Sequence, residues 1–256
     1  MTEAAQLSGK AGKGNAPAPV SGGAVARGIL EDLAAASRIL VDQGVFDAAG
    51  HFSMRHPADP ARFLMSRSLA PALVTADDIM EFDLDGEACD PRGRNGFLER
   101  FIHSEIYRRR PDVTAVAHSH SASVIPFGLT GTPMRAMYHN AAFIAAGVNV
   151  FDIRQKFGTT DIVVNTPEKG AALAEALADN SVALLRAHGM VVVGPDVPNT
   201  VFRAIFTEVN ARLQLQATML GGPIAALDEE EGRLADAVNI ATVGRSWDLW
   251  KRRVAQ

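Results

Sequence analysis

The stretch Thr114-Ala115-Val116-Ala117-His118-Ser119-His120 sets the frame within which the rest of the chain is read. Its first four residues are β-prone, and side chains two apart on a strand share a face. His118 and His120 are therefore placed to grip one ion together. A second apolar run, from Ser181 to Leu185, leads to His188 and Gly189, and Met190 to Val193 continues as another strand. Glycine after that histidine permits a sharp turn or a close backbone approach. Three imidazoles with one position left open form a catalytic metal arrangement.

Upstream, Phe97-Leu98-Glu99-Arg100-Phe101-Ile102-His103-Ser104-Glu105-Ile106-Tyr107 carries apolar residues at helical spacing, with Pro111 just past its end. Glu99 begins that helix, and His103 follows one turn later on the same face. A carboxylate at a helix start commonly does no more than complement the dipole. Here one tight turn separates the helix from the histidine strand, so a single helix-strand unit can bring carboxylate and imidazoles to one place.

The remaining periodicities predict an amphipathic helix from about Ala24 to near Gly44 and short strands at 50–55, 62–66 and 79–84, the last closed by an Asp85-Gly86 hairpin turn. Thr166 is the expected N-cap of a helix with Pro167 in its first turn. Asp196 and Pro198 open a long helix running to about Leu220, and Asp228 starts a C-terminal helix that carries Trp247 and Trp250 and ends in Lys251, Arg252 and Arg253. Those tryptophans read as packing residues, with a subunit contact as the second reading. His51, beside Gly50, reads either as a site residue or as a hydrogen-bonded structural one. His56, before Pro57, reads as an exposed loop residue, and Tyr138 as either a neighbour of the site or an ordinary core tyrosine.

The 256 residues, 47% of them hydrophobic, suffice for one sizeable core. The net charge of -4 offers no basic surplus for nucleic acid or an anionic membrane. The single cysteine, Cys89, excludes an intrachain disulfide and fits a reducing cytoplasm. No apolar run is long enough to span a bilayer. Residues 1–23, rich in Gly, Ala, Ser, Pro and Lys, are expected to form a flexible leader, and 24–256 a single metal-binding domain.

The ordered motifs, Glu99 with His103, the Arg110-Pro111-Asp112-Val113 turn, the His118-Ser119-His120 strand and the later His188-Gly189 strand, resemble the class II aldolase/adducin family from about Ala24 to about Leu220. The resemblance implies an α/β fold, a three-layer α/β/α sandwich around a mostly antiparallel central sheet, in a homotetramer with sites at subunit borders. It implies a divalent metal, Zn, Mn, Fe or Co, held by His118, His120 and His188, with Glu99 as the catalytic acid/base. His103 matches a helix histidine read as structural or as an outer partner that orients a ligating imidazole.

Sugar-phosphate aldolases of that family cradle the phosphate with hydroxyl and amide donors. The corresponding stretches here, Gly50-His51-Phe52-Ser53, Ser66-Arg67-Ser68-Leu69-Ala70-Pro71 and Phe97-Leu98-Glu99, place His51, Phe97 and Leu98 in such positions. Arg67 reads as a bidentate partner for a carboxylate or as a solvated surface arginine. The pattern is similar to the aromatic decarboxylase branch, which acts on hydroxypyridine dicarboxylates and dihydroxyphthalates. What it implies is a cytoplasmic lyase of aromatic compound catabolism, decarboxylating a hydroxylated aromatic carboxylate through a metal-stabilised enolate. Glu99 would carry the proton, and His51 and Arg67 would bind the substrate. The alternatives are an aldolase or epimerase acting on a sugar phosphate or hydroxy-keto acid, an adducin-like scaffold without chemistry, and an iron-dependent oxygenase.

Overall fold

The computed structural model describes residues 18–255. Of the expected leader, residues 1–17 lie outside the described residues. Residues 20–23 are tied to the body: Gly22 N–H and Ser21 Oγ donate to the two oxygens of Glu81, and Arg62 Nε donates to Val20 O.

Seven strands form one sheet: β1 (His51–Arg55), β2 (Arg62–Ser66), β3 (Ile79–Asp83), β4 (Ala115–Ser119), β5 (Asn149–Phe151), β6 (Val182–Leu185) and β7 (Gly189–Gly194). Their spatial order is β3-β2-β1-β4-β7-β6-β5. Every pairing is antiparallel except that of β5 with β6, so the sheet is mixed, with one parallel edge strand. The helices are α1 (Arg27–Asp42), α2 (Arg100–Arg109), α3 (Ile125–Thr130), α4 (Arg154–Phe157), α5 (Pro167–Leu177), α6 (Val197–Leu220) and α7 (Glu229–Arg253).

Alternation along the strands divides the core in two. One face carries Phe52, Leu64, Ala117, Met190 and Val192 and is covered by α1, α3, α6 and α7. The other carries Phe63, Met65, Val116, Ala183, Val191 and Val193 and is covered by α2 and α5. The result is the expected three-layer α/β/α arrangement. Capping follows the sequence: Thr166 Oγ1 accepts from Lys169 N at α5, Asp196 from Asn199 N at α6, and Asp228 from Glu231 N at α7. Trp247 and Trp250 are buried in the first core, Trp250 near Phe202 and Phe206, and the basic end of α7 pairs with α1 through Lys251–Asp32 and Arg253–Asp42.

Three elements were not legible in the pattern: β5, α3 and α4 are six residues or fewer, too short to carry a period. His56 also departs from expectation. It is buried rather than exposed, because the turn after Pro57 folds back and Nδ1 accepts from the backbone N–H of Ala58 and Asp59, while Nε2 meets Gly23 O. Tyr138 packs against the first core beside Phe206. Burial pushes the Cys89 thiol up to about 11, so it stays protonated at neutral pH. Among the described residues no helix is long and apolar enough to cross a membrane.

Candidate metal centre and active site

β4 ends where β1 and β7 begin, and this junction holds the site. His118 lies on β4, opposite His51 on β1 and Val191 on β7. His120 follows just past the strand end, and His188 precedes β7. Gly189 makes the junction possible, since a Cβ there would collide with Ser119 O on the neighbouring strand. The close approach, rather than a left-handed turn, is what requires glycine at this position. The left-handed residue is Ala187 at φ 56°, which turns the chain into His188.

Each imidazole of the cluster has its Nδ1 engaged. His118 Nδ1–H donates to Met190 O at 3.0 Å, His120 Nδ1–H to Asp47 Oδ2 at 3.0 Å and His188 Nδ1–H to Ile162 O at 3.0 Å. These acceptors fix one tautomer and leave the three Nε2 lone pairs for a common target. Ile162 is itself left-handed at φ 57°, a costly conformation for a β-branched residue, and its carbonyl is thereby aimed at His188.

Glu99 is the N-cap residue of α2, but its side chain makes no cap bond. It turns inward instead: Oε1 accepts from Val164 N–H at 2.9 Å, and Oε2 stands 3.4 Å from His118 Nε2 and 3.5 Å from His188 Nε2. Burial opposes ionisation of this carboxyl, but the imidazoles of His118 and His188 beside Oε2 outweigh that and hold it well below the usual carboxylate range. His118 is lowered, chiefly by burial.

One potential donor atom from each of Glu99, His118, His120 and His188 lies within 4.8 Å of the others, a group that could hold a metal ion. The fit is testable on two features. His118 Nε2 is buried without a hydrogen-bond partner, a costly state for a polar atom unless something else occupies its lone pair. The Nε2 atoms of His120 and His188 face each other at 3.2 Å. Two bare lone pairs at that distance repel, whereas two nitrogens bound to one tetrahedral ion at ordinary bond lengths stand roughly 3.3 Å apart. The residues fit a divalent cation.

A cleft of about 360 Å³ opens on this cluster. Glu99, His120 and His51 line it, together with Ser68 and an apolar wall of Ala48, Ala49, Leu69, Ala70, Phe97, Leu98 and Val163. Leu98 is 70% exposed at the rim. His51 is buried, with its ring 4.7 Å from that of Phe97. Arg67 is not among the lining residues; its Nε donates to Asp78 Oδ1 at 2.7 Å, one residue outside the wall formed by Ser68 to Ala70. His103 faces away from the cluster, toward His51 and Ser53. Sequence reading passed over Asp47, the Ile162 carbonyl and the Val164 amide. The last two are backbone groups and leave no trace in residue type, and Asp47 lies 73 positions from the histidine it serves.

The family model described as Class II Aldolase and Adducin N-terminal domain matches residues 31–215. Decarboxylase tropJ of Talaromyces stipitatus is 37% identical, the match covering 84% of this chain and 90% of the relative. The 3,4-dihydroxyphthalate decarboxylase of Arthrobacter keyseri is 28% identical, over 90% and 94% of the two chains. Among solved structures, L-fuculose 1-phosphate aldolase from Glaciozyma antarctica superimposes with a TM-score of 0.74 over 93% of both chains at 24% identity, a likeness of fold.

Proposed function

The chain belongs to the class II aldolase and adducin family, and from that premise we propose that it is a divalent-metal-dependent lyase that decarboxylates a hydroxylated aromatic carboxylate of the phthalate or pyridine type. The observation that carries this reading is the wall beside Glu99. Phe97, Leu98 and Leu69 offer apolar surface, with one aromatic ring, where a sugar phosphate needs donors. Relatives named as decarboxylases support the same choice of reaction.

His118, His120 and His188 would hold the cation, with Glu99 beside it. A bound divalent cation supplies electrophilic stabilisation of the electron pair left when a carbon–carbon bond breaks. The protein's own groups do the rest. The apolar wall excludes water from one side of the ring, and His51 binds an oxygen of the substrate at the cleft wall. Glu99, fixed through Oε1 by Val164, keeps Oε2 toward the cluster. Ionised at rest, it takes the proton of the substrate's ring hydroxyl and delivers it to the ring carbon that loses carbon dioxide, so that the product leaves as its phenolate and regains a proton from water. Arg67, whose remaining guanidinium nitrogens have no partner among the described residues, recruits a carboxylate at the rim. We place the enzyme in the cytoplasm and in a homo-oligomer, a tetramer by preference. Exposed Met219 and Leu220 at the end of α6, and Leu234, Val238 and Leu249 on α7, support self-association.

The test is carbon dioxide release from 3,4-dihydroxyphthalate and related ortho-hydroxy aromatic dicarboxylates, by metal-loaded and chelated protein side by side. Chelator-sensitive release is expected. Cleavage of a sugar phosphate without any such release would replace this reading with aldol chemistry.

A further inference from the structure

The sheet and α2 interleave four polar side chains into one buried chain. His51 and Ser53 are two apart on β1 and share a face, and His103 and Tyr107 are four apart on α2 and share another. Packed together, they give His51 Nδ1 to His103 Nε2 at 2.7 Å, His103 Nδ1 to Ser53 Oγ at 2.6 Å and Ser53 Oγ to Tyr107 Oη at 2.7 Å. All four residues are buried.

Counting protons gives the chain a direction. Both rings are buried and neither is hydrogen-bonded to a carboxylate, so each is counted as a neutral imidazole. Each of the four groups then carries one mobile hydrogen, and there are three links to fill. One hydrogen must leave the chain at an end. At the inner end, the Tyr107 hydroxyl has no hydrogen-bond acceptor but Ser53 among the described residues. Tyr107 must therefore donate to Ser53, Ser53 to His103 Nδ1, and His103 Nε2–H to His51 Nδ1. The surplus hydrogen emerges on His51 Nε2. That atom has no protein partner among the described residues and is not one of the sealed, unpartnered atoms, and His51 lines the cleft.

We propose that Tyr107, Ser53 and His103 are positioning residues that commit His51 to the Nε2–H tautomer, so that the cleft takes an acceptor oxygen of the substrate, a carboxylate above all, at His51. The ligand half of this inference rests on the reading of that cleft as the site of an aromatic carboxylate. The tautomer half rests on the hydrogen-bond chain alone. A hydroxyl that must donate is disfavoured at this point, because donor would face donor.

The test uses the full chain with nitrogen-15-labelled histidine, first chelated and then loaded with zinc. Nitrogen shifts distinguish protonated from bare ring nitrogens, and the contact with Phe97 assigns His51. The expected result is a protonated Nε2 and a bare Nδ1 in both samples, loss of that preference in Ser53→Ala and its return in Ser53→Thr. A wild-type His51 protonated at Nδ1 overturns the proposal, and does so whether or not any variant folds. Phthalate then serves as the probe in titration calorimetry. Ser53→Ala should weaken its binding roughly tenfold, the scale of one hydrogen bond to a charged group, with Ser53→Thr near wild type. Equal phthalate affinity in wild type and in a Ser53→Ala protein with altered tautomer overturns the ligand half. Wild-type protein that does not bind phthalate overturns the aromatic-carboxylate reading and the ligand half with it, while the nitrogen shifts still decide the tautomer.

Discussion

Glu99 and Val164, 65 positions apart, are joined by a 2.9 Å hydrogen bond from the Val164 amide to Oε1, which leaves Oε2 as the carboxylate's working oxygen. The Glu99→Gln variant can keep the bond to Val164 through its amide oxygen but carries no exchangeable carboxyl proton. Bound metal should persist in it while turnover falls by about 10²–10⁴. Metal analysis alongside initial rates decides the matter, and near-wild-type rates would remove Glu99 from the chemistry.

Removing a ring from the cluster should act on the metal itself. His118→Ala and His188→Ala should lose it on dialysis. Asp47→Asn, which alters only the partner of His120 Nδ1, should weaken retention by roughly 10–100-fold. Full occupancy in both alanine variants would refute the ligand assignment.

Arg67 offers a cleaner distinction. If it recruits a carboxylate, Arg67→Ala should raise KM by roughly ten- to a hundredfold with kcat little changed. If the side chain only braces the loop through Asp78, KM will stay put and thermal stability alone will move.

A methyl group at position 189 has no room. Gly189→Ala should cost about 1–3 kcal/mol through its collision with Ser119 O, and should loosen the metal as β4 and β7 part. Denaturant unfolding and metal content, measured on one sample, should fall together; a variant as stable as wild type would mean the strands give way more easily than their packing indicates.

Acid should destabilise the fold through the buried rings. His103 binds its proton near pH 3 when folded and near 6.5 when unfolded, so the unfolded chain holds more protons between those limits. Its contribution is fully present above pH 6.5 and is lost as pH falls toward 3, by about 1.4 kcal/mol per unit across that window. His51 acts in the same direction. Urea unfolding of wild type and His103→Gln from pH 7 to 4.5 should show the shallower slope in the variant, and identical slopes would place the acid sensitivity elsewhere.

Residue type and spacing alone determined a good deal. Alternation fixed which face of β4 His118 shares, helical periodicity placed Glu99 at the start of α2, and the caps Thr166, Asp196 and Asp228 marked three helix starts. Each is a local property, since backbone geometry ties a side chain's direction to its position within a few residues. The tertiary structure decided what meets what. It set Arg67 beside Asp78, turned His103 away from the cluster and toward Ser53, brought the Ile162 carbonyl to His188, and buried His56 under its own turn. The meeting of His103 with Ser53, 50 positions apart, depends on strand register and on the packing of α2 against the sheet, and that of Ile162 with His188, 26 apart, on where a loop lies against the sheet end. The Arg67–Asp78 and His56 contacts are closer in sequence but rest on loop conformations that residue type does not specify. A one-residue slip of β1 would send His51 and Ser53 to the opposite face.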